Sequence, residues 1–378
     1  MFIRNYRIAS ILGIPIEINP TWLFTLAFVV FILGGSLYPD ALEEEPAWFL
    51  WTLAATSGLL FFGSIIVHEL AHSLVARRYG IPVRAITLFM LGGVSQITKE
   101  AKRPLVEFHT AIVGPLTSFV LAAIFIGLVF VPYVGDGRAG IMFEFLFVMN
   151  LSLGVVNLAP GFPLDGGRVL RAAIWGVTGN YRRATFWASL AGRALGFALM
   201  AAGLLVLLRV FTWFSPFSGV WFFLVGLFLD GAARQAWTQV QTLEVLRKYS
   251  ASNVMRTMLP TVPETTTVLE TVGRFFDPQF GLCAFVVADD ERVLGMLSDP
   301  EAARVPKSRW ATTLAPQAMT PAERVLTIAP ETDLATALEQ LETGRQMHLP
   351  VIDAGRVVGY ISRLRIMNLL AAEGRAAG

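Results

Sequence analysis

"IVHELAHSL", residues 66–74, lies inside an apolar run long enough to cross a lipid bilayer, yet it carries His68, Glu69 and His72. On a helix, residues four apart share a face, so the two imidazoles point the same way. That spacing lets two ring nitrogens reach one metal ion, with Glu69 projecting beside them to act on a metal-bound water. Zinc suits the arrangement, because it lowers the pKa of such a water to about 7, where a carboxylate can take its proton. The competing role is a pair of histidines hydrogen-bonded to neighbouring helices. Ionisable groups at membrane depth are costly and usually functional, which favours the metal.

A catalytic zinc site needs a third protein ligand and an open position. The chain has four histidines, and the remaining two are His109, at the head of an apolar run, and His348, in a region of mixed composition. Neither fits well, and His348 is expected to be a structural residue at a strand start. Asp165, in "NLAPGFPLDGGRVLRA" (157–172), is the better candidate. Prolines end the preceding helix, and Gly166-Gly167 open a new one. Such a kinked backbone can carry one carboxylate into a helix bundle. The competing role for Asp165 is an N-cap on the helix starting near Gly166.

The surrounding composition is that of a membrane protein. Of 378 residues, 54% are hydrophobic and 15% charged, against about 25% charged in soluble domains; the mean hydropathy is +0.59. The net charge of +2 gives no reason to expect a nucleic-acid partner. One cysteine, Cys283, excludes an internal disulfide framework and a Cys-rich zinc site. The opening "MFIRNYRIASILGIPIEINP" lacks an apolar core long enough for a cleavable signal, so the first long apolar run is expected to be an uncleaved anchor.

Six spans are predicted, at about residues 20–38, 48–76, 108–132, 141–159, 187–210 and 218–233. The last is short and interrupted by Gly219 and Gly226. Arg4, Arg7, Arg77, Arg78, Arg84, Lys99, Lys102, Arg103, Arg168, Arg171, Arg182 and Arg183 fall on one side, and Arg138 and Arg209 on the other. The positive-inside rule then predicts a cytoplasmic N-terminus and a cytoplasmic C-terminal region. Between spans two and three, "IPVRAITLFMLGGVSQI" (81–97) is too short to span. It is expected to form a hairpin turning at Gly92-Gly93 and packed on protein at the membrane edge.

From about residue 250 the composition becomes mixed. The boundary is placed in "WTQVQTLEVLRKYSASNV" (237–254), giving a membrane domain over 1–235, a helical linker over 236–250 and a soluble region over 251–378. That region holds a weak internal repeat, about 251–305 and 315–372. Each copy predicts an entry strand, a helix, a strand ending in Asp, a turn, a strand ending in Gly-x-x-Ser, and a helix.

His68, Glu69 and His72, with "NLAPGFPLDGG" downstream and "VGP" at 113–115 opening the third span, resemble the site-2 protease family of zinc intramembrane metalloproteases. The resemblance covers roughly residues 1–235. It implies that His68, His72 and Asp165 hold one Zn2+, that Glu69 is the general acid/base, and that Asn157 helps bind the substrate strand or stabilise the oxyanion. The implied substrate is a single-span membrane protein, cut in its transmembrane segment near the cytoplasmic side in regulated intramembrane proteolysis. Such a peptide must unwind, and an edge strand around 86–97 would hold it by backbone pairing. The C-terminal repeat resembles a tandem pair of CBS domains, a module that often binds adenine nucleotides such as ATP or AMP and can dimerise. There the resemblance places an acidic residue three after the Ser: Glu301 follows Ser298, whereas Arg365 follows Ser362 and cannot accept ribose hydroxyls. The fold expected is thus a polytopic α-helical membrane protein with a small membrane-edge β hairpin, followed by an α/β tandem CBS module. A CBS-gated transporter or channel with a structural metal is the alternative; it would need repeat symmetry or polar pore residues across several spans, and neither is found.

Overall fold

The architecture is that of a computed structural model, which describes residues 5–376 apart from 91, 98–100, 136, 212, 214, 278–280, 289–291 and 345. Arg4 and Lys99 of the charge pattern, and the acidic stretch at 289–291 where the first copy's strand is expected to end in Asp, lie outside the described residues. The chain forms two compact units, Met1–Trp237 and Thr238–Gly378.

In the first unit, strands β1 (Tyr6–Ile11) and β2 (Ile14–Ile18) precede α1 (Trp22–Ile32), which continues through a π-helical turn, Leu33–Leu37, into α2 (Tyr38–Ala41). Then follow α3 (Ala47–Arg78), β3 (Val83–Phe89), β4 (Gly92–Ile97), α4 (Pro104–Val129), α5 (Arg138–Asn157), α6 (Asp165–Thr178), α7 (Tyr181–Leu207) and α8 (Pro216–Arg247). Among the described residues, six helical segments, Trp22–Ala41, α3, α4, α5, α7 and α8, are long and apolar enough to cross a membrane. This is a multi-pass helical membrane protein. Helix α5 ends at Asn157, ahead of Pro160 and Pro163, and α6 is short and amphipathic.

Several expectations are corrected. The hairpin turns between Phe89 and Gly92, and Gly92 and Gly93 begin β4. Gly93 serves packing: a Cβ there would lie 2.9 Å from Glu69 Cγ and 3.0 Å from Ile65 Cγ2. The hairpin is also only half of a four-stranded sheet, ordered β1-β2-β3-β4, with β2 parallel to β3. Ile14, Ile16 and Ile86 bury one face with Ile66 and Leu70 of α3. Helix α4 begins at Pro104, whose missing N–H costs nothing at a helix start, so "VGP" lies three turns inside the helix and does not open it. Gly219 and Gly226 do not interrupt the sixth span. They lie against the backbone of α7, at Gly203 and Gly196, and α8 runs unbroken past them. Small residues let apolar helices approach closely where water provides no driving force.

The second unit contains α9 (Ala251–Val254), β5 (Thr261–Pro263), α10 (Val268–Phe275), β6 (Phe276–Asp277), β7 (Gly281–Val287), β8 (Val293–Ser298), α11 (Asp299–Arg304), α12 (Ala315–Ala318), β9 (Thr320–Pro321), α13 (Leu334–Gly344), β10 (His348–Asp353), β11 (Arg356–Ser362) and α14 (Arg363–Ala376). The two copies exchange their leading segments. Strand β9 pairs with β8 of the first copy, while Arg256 exchanges backbone hydrogen bonds with Tyr360 of the second. His348 opens β10, as expected.

The loop between α5 and α6 is seated on α7. Phe162 N donates to Ala188 O at 3.2 Å, and a Cβ at Gly192 would lie 2.0 Å from the Phe162 carbonyl oxygen. Gly192→Ala should therefore push the loop off α7 and destabilise the protein by about 1–3 kcal/mol. Thermal unfolding in detergent is the check, and an unchanged midpoint would mean that the loop does not depend on this contact.

Candidate metal centre

His68 and His72 project from one face of α3, with Nε2 atoms 3.2 Å apart, and both rings are buried. Asp165 is the first residue of α6. Its Oδ2 lies 3.2 Å from His68 Nε2 and 3.1 Å from His72 Nε2. The N-cap position belongs to Leu164, which makes no side-chain cap bond, so the Asp165 carboxylate faces the histidines and does not cap. Among the described residues, these three form the one cluster with metal-ligand geometry.

The cluster fits zinc. Nitrogen and oxygen ligands about 2.0–2.1 Å from a tetrahedral ion stand about 3.3 Å from one another, close to the separations found here. Both far ring nitrogens are engaged. His72 Nδ1 lies 2.5 Å from Thr110 O, and His68 Nδ1 lies 2.9 Å from Ser118 Oγ. A carbonyl only accepts, so His72 Nδ1 carries the proton and Nε2 presents its lone pair to the centre.

Helix α4 supplies this support from one face. Thr110, Gly114 and Ser118 recur every four residues, and all are buried. Gly114 makes the gap: a Cβ there would stand 2.2 Å from His72 Nε2 and 2.7 Å from His68 Nε2.

Glu69 lies beside the cluster, partly buried. Ser95 of the edge strand β4 donates from Oγ to Glu69 Oε2 at 2.7 Å, and the Glu69 carbonyl is 2.9 Å from the same hydroxyl. Ser73 donates to Ser95 Oγ at 3.2 Å. Asn157 ends α5, with Nδ2 donating to Leu153 O at 3.0 Å. His109 stands apart from the cluster, bonded through Nδ1 to Tyr79 OH at 2.7 Å.

The sequence reading missed Ser95, Thr110 and Ser118. The spacing of Thr110, Gly114 and Ser118 was a usable signal, because three small or polar residues at intervals of four line one side of a helix. Ser95 had no signal, since its role depends on the register of β4 against α3.

Glu301 lies in the second unit, in a capping box at the start of α11. Ser298 Oγ makes a short bond to Glu301 Oε2, Ser298 N donates to the same oxygen at 3.2 Å, and Thr320 Oγ1 donates to Oε1 at 3.1 Å. The Arg365 guanidinium bonds the Val254 carbonyl. Cys283 is buried in the same unit, and burial pushes its thiol far above the ordinary range, which leaves it protonated and inert.

The sequence matches peptidase family M50 over residues 57–135 and 137–202, and the CBS domain over 251–306 and 317–372. It is 31% identical over 97% of its length to 96% of sll0528 from Synechocystis sp., named as a zinc metalloprotease. It is 32% identical over 92% of its length to 87% of Rip3 from Mycobacterium tuberculosis, named likewise. Among solved structures, the site-2 protease of Methanocaldococcus jannaschii is 28% identical, covering 62% of this chain and 95% of that one, with a TM-score of 0.43.

The Gly114 gap yields a test that leaves His68, His72 and Asp165 in place. Gly114→Ala should weaken zinc retention by at least about tenfold, the scale of a disturbed outer shell. Metal analysis after dialysis against a chelator is the check, and wild-type retention would mean that the methyl finds room that the geometry denies it.

Proposed function

Because the chain belongs to peptidase family M50 and is a zinc metalloprotease with a CBS pair behind it, we propose that His68, His72 and Asp165 hold the zinc and that Glu69 is the general acid/base. The single observation that carries this is the meeting of two imidazole nitrogens and one carboxylate oxygen within 3.2 Å, beside a glutamate held by Ser95. Zinc bound there supplies Lewis acidity toward a peptide carbonyl and acidifies water.

The chain's own residues do the rest. Thr110 and Ser118 keep both imidazoles turned inward. Ser95 fixes Glu69 through Oε2, and we assign Oε1 to take the proton of the attacking water and return it to the leaving nitrogen. Asn157, at the mouth of the loop that carries Asp165, would turn its amide from the Leu153 carbonyl to the substrate carbonyl, where such a donor is worth about 10²–10³ in kcat.

The substrate we infer is a single-span membrane protein cut within its transmembrane segment. A helical substrate hides its carbonyls and must unwind, and the freed backbone needs partners. Strand β4 is the outer strand of its sheet and carries the Ser95 that holds Glu69. An unwound segment added along β4 would reach the site by strand pairing. The N-terminus and the CBS pair are assigned to the cytoplasmic side. Arg77, Arg78 and Arg84 lie at or within the segment between α3 and α4, and Arg168, Arg171, Arg182 and Arg183 at or within that between α5 and α7, as the positive-inside rule requires of cytoplasmic segments. This side would therefore receive the cleavage, in keeping with regulated intramembrane proteolysis.

The CBS pair is assigned a regulatory role through an adenine nucleotide, ATP or AMP, with homodimerisation as its second use. One cleft of about 880 Å³ in the second unit is lined by Arg256, Arg274 and Arg365, which suits phosphate oxygens. Glu301 would reach a ribose only by leaving Ser298 and Thr320.

Three experiments test this reading. With a generic single-span substrate and detergent-purified protein, Glu69→Gln should retain zinc and lose cleavage by several orders of magnitude, while Asn157→Ala should retain zinc and lose about 10²-fold. Normal turnover by Glu69→Gln would sink the mechanism. Calorimetry of the full chain with ATP and AMP should show heat that Arg365→Ala reduces; no heat with either nucleotide would leave the module as a dimerisation element. In inverted membrane vesicles the same nucleotides should alter cleavage, and an effect confined to right-side-out vesicles would reverse the assigned orientation.

A further inference from the structure

We propose that Arg171 is a positioning residue for Asp165: its guanidinium sets where the first turn of α6 stands against α4, and so where the Asp165 carboxylate meets the two imidazoles. The inference rests on the zinc reading above.

Helix α6 starts at Asp165 without a side-chain cap. Gly166 and Gly167 let that turn lie close to the backbone of residues 158–162, but glycines permit an approach without holding it. The hold comes from Arg171. Its guanidinium lies between the rings of Phe162 and Tyr181, the central carbon 4.8 Å from each centroid. Nε donates to Glu107 Oε1 at 2.7 Å, and Nη2 donates to the same oxygen.

Four elements therefore meet on one planar cation: α4 through Glu107, the incoming loop through Phe162, α6 through Arg171 itself, and α7 through Tyr181. Phe162 precedes Asp165 by three residues and Arg171 follows it by six, so the chain is gripped on both sides of the ligand. Glu107 stands one turn before Thr110, whose carbonyl holds His72. Both His72 and Asp165 are thereby referenced to the same stretch of α4.

The pair is buried, with Glu107 1% and Arg171 12% exposed at the side chain. Replacing a buried ion pair by apolar residues is often neutral for stability, so net stability is a poor explanation for it. A planar fork between two rings and against one carboxylate accepts few orientations, and geometry is what it supplies. An ammonium at this position would keep the charge and lose the plane.

The test uses the full chain in detergent with Co(II) in place of zinc, since cobalt's visible bands report the ligand geometry. Arg171→Lys and Glu107→Gln should each shift those bands and speed metal loss to a chelator about 10–100-fold. As a control, Asp230→Asn breaks another pair of the same unit, formed with Arg193 and Arg234. It should lower the unfolding temperature and leave bands and metal loss unchanged. Wild-type bands and wild-type metal loss in both Arg171→Lys and Glu107→Gln, whatever their unfolding temperatures, would reduce the pair to helix packing and overturn the proposal. If Arg171→Lys does not fold, Glu107→Gln, which keeps the shape and removes the charge that holds the guanidinium, decides alone. Bands that are not tetrahedral in the wild type, or unaltered in Asp165→Asn, would overturn the zinc reading instead.

Discussion

Two imidazole nitrogens and a carboxylate oxygen cannot be held within 3.2 Å of one another inside an apolar bundle without a reason. Buried polar groups keep their place only when their bonding capacity is met, and ligand atoms aimed at one point call for a cation there. The surrounding structure follows from meeting that demand. Helix α3 supplies the two imidazoles one turn apart. Helix α4 supplies an acceptor for one imidazole, a hydroxyl for the other and a missing Cβ between them. The break between α5 and α6 lets the Asp165 carboxylate enter from a different helix and at a different angle.

Bringing Asp165 to the two imidazoles depends on backbones lying closer than side chains allow. A Cβ at Gly166 would lie 2.2 Å from Leu158 O, one at Gly167 2.3 Å from Gly161 C, and one at Gly161 2.5 Å from Gly192 Cα. These contacts fold the "NLAPGFPLDGG" loop back on itself and onto α7. The same device joins α7 to α8, where Gly196 meets Gly226 and Gly203 meets Gly219. Water cannot drive helices together inside lipid, so close contact between small residues takes its place.

The legible part of the sequence was the part written in local periodicity. Six apolar runs, a helical pair of histidines and a proline-glycine break before Asp165 each announce themselves within a few residues, and the structure has helices where the runs are. What was not legible depends on partners distant in the chain. The parallel pairing of β2 with β3 joins residues about seventy apart, and no short window contains it. Glycine was the recurrent source of error. Gly92-Gly93 looked like a turn and Gly219 with Gly226 like an interruption, because glycine marks both flexible backbone and close approach. Only the neighbouring element decides which: Glu69 and Ile65 for Gly93, the backbone of α7 for Gly219 and Gly226.

The C-terminal repeat follows the same logic. Its Gly-x-x-Ser signature marks the exchange of leading segments between copies. A Cβ at Gly295 would lie 2.4 Å from Thr320 O, and one at Gly359 would lie 2.7 Å from Arg256 O. Each glycine makes room for the leading segment of the other copy, so neither half closes its sheet alone. The serine that ends each motif then starts a helix. Ser298 does so with Glu301 in a capping box, and Ser362 accepts from the backbone N–H of Arg365 at 3.3 Å. With the capping role filled by a carboxylate in one copy and by the serine alone in the other, the side chain three residues on is free to differ. It is a buried acid in the first copy. In the second it is a guanidinium that ties α14 to the Val254 carbonyl, the end of the helix that leads into the exchanged segment.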